Sequence, residues 1–193
     1  MRTSALFATT LAVVLGVGGT GFHQIAQAVQ LSDGKVYFVQ PPRLLAASTT
    51  RTQTSQSGST YYFTLSVPET AGEPLQRIAI AQQNGGNSFR NVEYELDNTR
   101  AFVGTRGDRG AAIPVRETTY DSETETVSVV FDQPVPPGTT VTIGLRPDRN
   151  PDLDGLYLFG VTAFPAGESA YGQFLGYGRL EFYSPDHDFF FPR

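Results

Sequence analysis

The sequence predicts an all-β protein, an immunoglobulin-like antiparallel β-sandwich with at most short helical turns. Apolar and polar residues alternate in several short runs, which is the pattern of half-buried strands. The 13 prolines and 20 glycines of the 193-residue chain interrupt nearly every window long enough for a helix. Turn-forming residues separate the runs at close spacing, as they do in sandwiches. We therefore expect two packed sheets with Val, Ile, Leu, Phe and Tyr between them.

Three runs show the alternation most clearly. Residues 61–67 place an apolar side chain at every odd position, with polar or hydroxyl-bearing residues between them. Residues 127–132 and 141–146 repeat the pattern on either side of a proline-rich turn that ends at Gly138. Further strands are predicted over residues 36–39, 77–82, 92–96, 112–117, 156–164 and 178–183. The connections are predicted as short helical turns around residues 68–75 and 167–174, a flexible polar loop over residues 46–60 and a hairpin turn at residues 84–87.

Residues 1–28 have the order of regions found in a cleavable secretory signal peptide. Arg2 precedes an apolar run over residues 5–17, and the small residues Ala26 and Ala28 follow it. The run is shorter than the roughly 20 apolar residues of a membrane-spanning helix, so a retained anchor is the weaker alternative. We expect cleavage after Ala28 and export of the remaining chain.

The rest of the chain divides into one domain and a tail. Residues 29–183 have the length of an ordinary single domain, and we expect no transmembrane span in the mature chain. Residues 184–193 form a tail that contains Phe189, Phe190 and Phe191. Because exposed apolar patches of this size are uncommon, fold-back onto the sandwich is favoured over an exposed docking patch.

An acidic, cysteine-free composition argues against several classes of function. The chain has 14 basic and 19 acidic residues, a net charge of −5, so it repels phosphate backbones and we expect no nucleic-acid partner. With no cysteine it forms no disulfide and offers no thiolate for catalysis or zinc. Its two histidines are His23, in the signal segment, and His187, in the tail, so a serine triad lacks a well-placed base.

The stretch RPDRNPDLDG spaces four oxygen-bearing side chains two residues apart, at Asp148, Asn150, Asp152 and Asp154. The spacing is similar to the first half of an EF-hand loop. When the loop is counted from Asn150, its twelfth position falls on Val161, which has no side-chain oxygen. Strands, rather than helices, are predicted on both sides of the stretch. A looser calcium site in a hairpin turn is one interpretation. A solvated turn, made of the residues that turns prefer, is the favoured one.

The acidic segment ETTYDSETET raises the alternative of a carboxylate-based glycoside hydrolase. It contains Glu117, Asp121, Glu123 and Glu125, and paired carboxylates at a suitable separation cleave glycosidic bonds. The chain has no tryptophan to build the aromatic platform of such an enzyme, although nine tyrosines partly substitute for it. An acidic hairpin with its side chains in water is the favoured interpretation.

Long motifs of the sequence resemble a known family. They are FDQPVPPGTTVTIGLRPDRNPDLDGLYLFGVTAFPAG, then GQFLGYGRLEFY, with YYFTLSVPETAGEPLQRIAIAQ upstream. Together these motifs resemble the secreted cyanobacterial family called domain of unknown function 2808, over roughly residues 36–183. The resemblance implies a cyanobacterial envelope or lumenal protein of β-sandwich type. It implies no catalytic residue and no activity.

These observations predict an exported, non-enzymatic β-sandwich that binds another cell-envelope component, either a protein or a polysaccharide. The expected location is the periplasm or cell envelope, with the thylakoid lumen as an alternative. A second hypothesis is a calcium-dependent binder that uses Asp148, Asn150, Asp152 and Asp154. A third is the hydrolase, for which Glu117 or Asp121 has to be essential. We expect no cofactor, with calcium as the exception under the second hypothesis.

Overall fold

The computed structural model describes residues 29–30, 34–83 and 91–184 of the chain. The predicted signal segment, the turn at residues 84–87 and the Phe-rich part of the tail lie outside the described residues. Within the described ranges nearly all regular structure is β-strand. The strands are β1 Val29–Gln30, β2 Val36–Tyr37, β3 Arg43–Thr49, β4 Tyr61–Ser66, β5 Leu75–Gln83, β6 Arg100–Gly104, β7 Arg109–Ile113, β8 Val115–Asp121, β9 Thr126–Val135, β10 Thr140–Leu145, β11 Gly155–Pro165 and β12 Gln173–Phe182.

Two five-stranded sheets form the sandwich. The first sheet has the strand order β3-β4-β10-β6-β7, and the second has the order β12-β11-β5-β9-β8. Strands β1 and β2 pair as a separate short ribbon. Neighbouring strands within both sheets are antiparallel. The structure thus confirms the predicted all-β, immunoglobulin-like antiparallel β-sandwich.

The core lies between the two sheets and follows the alternation in the sequence. On β4, Tyr61, Phe63 and Leu65 are fully buried. From the second sheet, Phe159 and Val161 of β11 are buried as well, and the ring centroids of Phe63 and Phe159 lie 5.7 Å apart. Each fully buried side chain of this size stabilises the fold by roughly 1.5–3 kcal/mol. This packing holds together a chain that has no cysteine.

The loop predicted over residues 46–60 begins too early, because its first part belongs to a strand. β3, Arg43–Thr49, pairs with β4 at the edge of the first sheet. An edge strand with one face in water needs few large apolar residues, so a run of Ala, Ser and Thr is compatible with it. The irregular remainder reaches the end of β12, where the Thr54 N–H donates to the Tyr183 carbonyl at 3.0 Å.

The prediction of a strand over residues 92–96 is wrong. The next strand along the chain is β6, which begins at Arg100. Tyr94 makes an isolated bridge to Pro147, after which the chain passes through a short 3-10 helix, Leu96–Asn98. Asp and Asn side chains compete with sheet ladders by bonding to nearby backbone, which favours a turn at this point.

The strand predicted over residues 112–117 is divided at Pro114. β7 ends at Ile113 on the edge of the first sheet, and β8 begins at Val115 on the edge of the second sheet. Proline has no N–H to donate, so it cannot continue a hydrogen-bonded ladder. The chain therefore changes sheets at this residue without an intervening loop.

One of the two predicted helical turns is confirmed. Residues 68–75 contain the 3-10 helix Glu69–Ala71, whereas residues 167–172 form a turn without a helix and lead into β12. In the part of the chain that the structure describes, no helix has the length and apolar character needed to cross a membrane.

Glu73, in the turn before β5, carries a buried carboxyl group. The residue is 7% exposed, and its Oε1 has no hydrogen-bond partner among the described residues. Burial raises the pKa of this carboxyl above its ordinary value. The folded state therefore holds the proton more tightly, and stability is lost as the pH rises from the unfolded pKa through the folded one.

We expect Glu73→Gln to raise the free energy of unfolding at pH 7 by about 1 kcal/mol, because it removes a buried charge. The gain disappears at a pH below both pKa values, where the wild-type carboxyl is protonated in both states. Urea denaturation at pH 7 and pH 3 measures both effects. Glu69→Gln, an exposed carboxyl four residues earlier, is the control. An equal gain at both pH values would contradict the assignment to a buried charge.

Candidate functional site

The acidic loop between β10 and β11 is organised around Asn150, which is 1% exposed. Its Nδ2 donates to the Arg51 carbonyl at 3.1 Å and to the Gln53 carbonyl at 2.7 Å. Its Oδ1 accepts a bond from the Tyr61 hydroxyl at 3.1 Å. Burial raises the pKa of Tyr61, so the phenol stays protonated and acts as the donor. The carboxamide therefore faces the protein interior and fastens this loop to the segment before β4.

The three aspartates of the loop lie at the surface. Asp152 accepts a hydrogen bond from the Ser55 hydroxyl at 2.7 Å and pairs with Arg149 at 3.2 Å, while Asp148 and Asp154 are exposed. Among residues 34–83 and 91–184, no group of three His, Cys, Asp or Glu side chains is placed to hold a metal ion. A solvated turn explains this geometry without a cation. The calcium interpretation stays a prediction, and its test is given in the Discussion.

The acidic segment, residues 117–126, covers the end of β8 and the hairpin turn that leads into β9. Asp121 accepts hydrogen bonds from the Thr124 hydroxyl at 2.8 Å and from the Glu123 N–H at 2.9 Å. These bonds lower the pKa of the Asp121 carboxyl, the Thr124 hydroxyl bond being the largest cause, so it is ionised and closes the turn. Glu117 lies apart, exposed on β8 beside an open groove of about 460 Å³ at the edge of the sandwich. The two candidate carboxylates of the hydrolase hypothesis, Asp121 and Glu117, thus lie in different environments.

The outer face of the second sheet carries exposed aromatic rings that sequence analysis did not single out. Phe174 and Tyr177 of β12 are 56% and 51% exposed, and their ring centroids lie 5.1 Å apart in an edge-to-face arrangement. Both rings lie over Gly160 of β11. A Cβ at that position would meet Phe174 Cε2 at 3.3 Å and Tyr177 Cε1 at 3.4 Å. We call these two rings and the small residues beneath them the aromatic shelf.

A bulge in β12 places both rings on one face. Residues three apart normally point to opposite faces of a strand. Here Val161 pairs with Gly176 and Thr162 pairs with Phe174, so β12 holds one extra residue at this point. Gly176 has φ 122°, a conformation that glycine adopts readily. β12 begins at Gln173, before the strand predicted over residues 178–183, so both rings fell outside that prediction.

The floor of the aromatic shelf consists of small side chains. In the register of β11 and β5, Gly160 lies opposite Ala81, and Thr162 lies opposite Ala79. The two rings therefore border a shallow, flat area. Such an arrangement is suited to contact with a flat ligand surface.

Solved structures similar to this chain include domains of streptococcal and staphylococcal proteins. The C-terminal domain of the Streptococcus pyogenes antigen I/II-family protein AspA has a TM-score of 0.40 and 14% identity over 71% of this chain and 46% of its own. Collagen adhesin from S. aureus has a TM-score of 0.41 and 11% identity over 71% of this chain and 47% of its own. The collagen-binding domain from a Staphylococcus aureus adhesin has a TM-score of 0.35 and 11% identity over 65% of this chain and 87% of its own. The chain spans about half the length of the first two.

The sequence itself places the chain in a family. No curated protein matches it in a sequence search. A family model described as "Protein of unknown function (DUF2808)" matches residues 35–182, which include the described strands from β2 to β12. This range agrees with the resemblance seen in the sequence motifs. The chain belongs to the DUF2808 family of proteins of unknown function.

Proposed function

We propose that this domain is a non-enzymatic binding module of the cell envelope, exported by its N-terminal segment, which binds a polysaccharide through the aromatic shelf. The observation that carries the proposal is the pair of half-exposed rings, Phe174 and Tyr177, fixed side by side on one sheet face. Exposing two large aromatic side chains in contact with one another is unfavourable in water, and such patches mark interaction sites.

The chemistry of the shelf fits a sugar ring. The C–H face of a pyranose packs on an aromatic ring, while its hydroxyl groups need polar partners around the contact. Tyr177 supplies a ring with its own hydroxyl group. Arg179 and Glu181 follow it at two-residue spacing on the same face of β12, and both are exposed. Apolar rings and charged hydrogen-bonding groups therefore share one surface.

A protein partner is the other class considered, and the shelf fits it less well. A stable protein interface buries about 1,600 Å² in total and has an apolar centre surrounded by a polar rim. Beneath its two rings, the shelf has a floor of Gly, Ala and Thr, whose small side chains form a flat surface rather than a pocket for a partner's apolar side chains. A flat platform with few rings is better matched to one or two sugar units.

Co-sedimentation with purified cell-wall polysaccharide tests the proposal. We expect the mature chain to be retained and the double variant Phe174→Ala/Tyr177→Ala to bind at least tenfold more weakly. Because both side chains are half exposed, the double variant keeps a melting temperature close to that of the wild type.

Tyr171→Ala is the matched control, since Tyr171 is also an exposed aromatic residue but lies against Tyr37, outside the shelf. Its binding is expected to equal that of the wild type. Failure of the wild-type chain to sediment, or an unchanged affinity in the folded double variant, overturns the proposal.

A further inference from the structure

The outer face of the first sheet carries a group of arginines on an otherwise acidic protein. The chain has a net charge of −5, yet Arg100, Arg109 and Arg146 border one cleft and Arg106 lies at its edge. Both β6 and β7 contribute to this group through their first residues, Arg100 and Arg109. This surface lies on the side of the sandwich opposite the aromatic shelf, and the inference below does not rest on that shelf.

Gly144 forms the floor of the cleft. In the first sheet it pairs with Tyr62 of β4 on one side and with Arg100 of β6 on the other. A Cβ at Gly144 would lie 3.0 Å from Tyr62 Cε1 and 3.2 Å from Thr60 Cγ2, so any side chain here would enter this space. The cleft above the glycine has a volume of about 220 Å³.

The arginine side chains are held in place by aromatic rings and carbonyl groups. Arg109 Nη2 donates to the Tyr62 hydroxyl at 2.8 Å, and its guanidinium lies 4.8 Å from the centroid of the Phe102 ring. Arg106 lies 5.3 Å from the centroid of the Tyr62 ring and donates to the Thr49 carbonyl at 3.1 Å. Stacking on rings fixes a guanidinium while leaving its charge and its other donors available.

Most of these arginines form no ion pair with a carboxylate of the described residues. Arg146 pairs with Glu95 at 2.9 Å. Arg100 instead donates to two backbone carbonyls, those of Asp97 and Thr99. Among the described residues, the ion pairs within 4 Å involve neither Arg100, Arg106 nor Arg109. The cleft is thus lined by the guanidinium groups of Arg100 and Arg109, which are in no ion pair among the described residues, and Arg106 lies at its edge. Such an arrangement favours an anion.

We infer that this arginine cleft binds an acidic sugar, the uronate unit of an anionic polysaccharide. The guanidinium groups of Arg100 and Arg109 provide paired donors that match a carboxylate. Thr60, Tyr62 and Asn98, which also line the cleft, offer uncharged groups for ring hydroxyls. The volume is smaller than the roughly 300 Å³ of pockets for drug-sized ligands, which suits a single sugar ring. An acidic peptide would bring a carboxylate without hydroxyl groups to occupy these positions.

Isothermal titration at low ionic strength with a galacturonate trimer tests the inference, with a neutral galactose trimer, inorganic phosphate and a triglutamate peptide as competitors. We expect the galacturonate to bind, the galactose not to bind, and the affinity to fall as salt is added. Phosphate and triglutamate are expected to bind at least tenfold more weakly than galacturonate. Stronger binding of phosphate or of the peptide overturns the assignment to a sugar.

Three variants locate the site. Arg100→Gln/Arg109→Gln is expected to weaken galacturonate binding at least tenfold, whereas Arg116→Gln, an exposed arginine on β8, leaves it unchanged. Gly144→Ala keeps every charge and adds a methyl group at the floor of the cleft. It is therefore expected to weaken galacturonate binding as well. Melting temperatures measured on the same samples show that each variant is folded. Equal binding by wild type and by the folded double arginine variant overturns the inference.

The variant Phe174→Ala/Tyr177→Ala separates the two binding proposals. It removes the rings of the aromatic shelf and leaves the arginine cleft intact, so we expect it to bind galacturonate as the wild type does. Loss of galacturonate binding in this folded variant would place the acidic sugar on the shelf and contradict a site at the arginine cleft.

Discussion

Asn150→Ala is expected to lower the free energy of unfolding by about 3 kcal/mol. The substitution removes three side-chain hydrogen bonds, to the Arg51 carbonyl, the Gln53 carbonyl and the Tyr61 hydroxyl. Tyr61 is fully buried, so its hydroxyl group loses its partner without access to water. Urea denaturation of the variant and the wild type measures the difference.

Asp154→Ala is the control, because Asp154 is exposed in the same loop and its replacement is expected to change stability by less than about 0.5 kcal/mol. A loss below about 1 kcal/mol for Asn150→Ala would contradict the role of this side chain as a buried hydrogen-bonding centre. Melting curves of the wild type with calcium and with a chelator, recorded in parallel, test the calcium interpretation. Coincident curves remove it, and a higher melting temperature with calcium supports it.

Gly178→Ala is expected to lower the free energy of unfolding by about 2 kcal/mol, because β12 and β3 approach closely at this glycine. Gly178 is buried, and a Cβ added to it would lie 2.7 Å from Ala47 Cβ and 2.9 Å from Phe63 Cε1. Real Cβ atoms do not occupy such positions, so the two sheets have to move apart. Thermal and urea unfolding both report the loss.

Gly107→Ala is the matched control, since a Cβ at Gly107 meets nothing within 4 Å. The double variant Gly178→Ala/Ala47→Gly removes one of the two clashing atoms and is expected to recover part of the loss. If Gly178→Ala is as stable as Gly107→Ala, the close approach of β12 to β3 does not contribute to the stability of the fold.

The sequence predicted the fold class because the core obeys a local pattern. The alternation through residues 61–67 gives the buried face of β4 directly, and Tyr61, Phe63 and Leu65 are all fully buried. The edge strand β3 was missed for the opposite reason. It is made of Ala, Ser and Thr, and its structure depends on pairing with β4 rather than on its own apolar residues.

The role of Asn150 was not accessible from the sequence. In the stretch RPDRNPDLDG the asparagine was interpreted as part of a solvated turn, with a cation site as the alternative, and neither interpretation buries it. The groups that its side chain bonds to are the Arg51 carbonyl, the Gln53 carbonyl and the Tyr61 hydroxyl. They lie 99, 97 and 89 positions away along the chain. No local pattern records contacts over such a separation. The same applies to the arginine cleft, which brings together residues of β4, β6, β7 and the end of β10.

The aromatic shelf was missed because the predicted strand begins at residue 178, and Phe174 falls in the helical turn predicted over residues 167–174. Without the extra residue beside Gly176, Phe174 would share the inward face of Gly178 and Leu180. Even with the full length of β12 known, a strict two-residue period would point this ring into the core. The glycine with positive φ is a signal for a bulge, but its effect on neighbouring side chains depends on the register with β11.

The change of sheets at Pro114 has a consequence for folding cooperativity. β7 and β8 are one extended segment whose two halves belong to different sheets, with no loop to let them move separately. If β7 leaves the edge of the first sheet, the strain reaches β8 at the edge of the second sheet within a single residue. Separate folding units in a protein are divided by segments that open independently. The two sheets share this direct connection and one core, so we expect them to gain and lose their structure as a single cooperative unit.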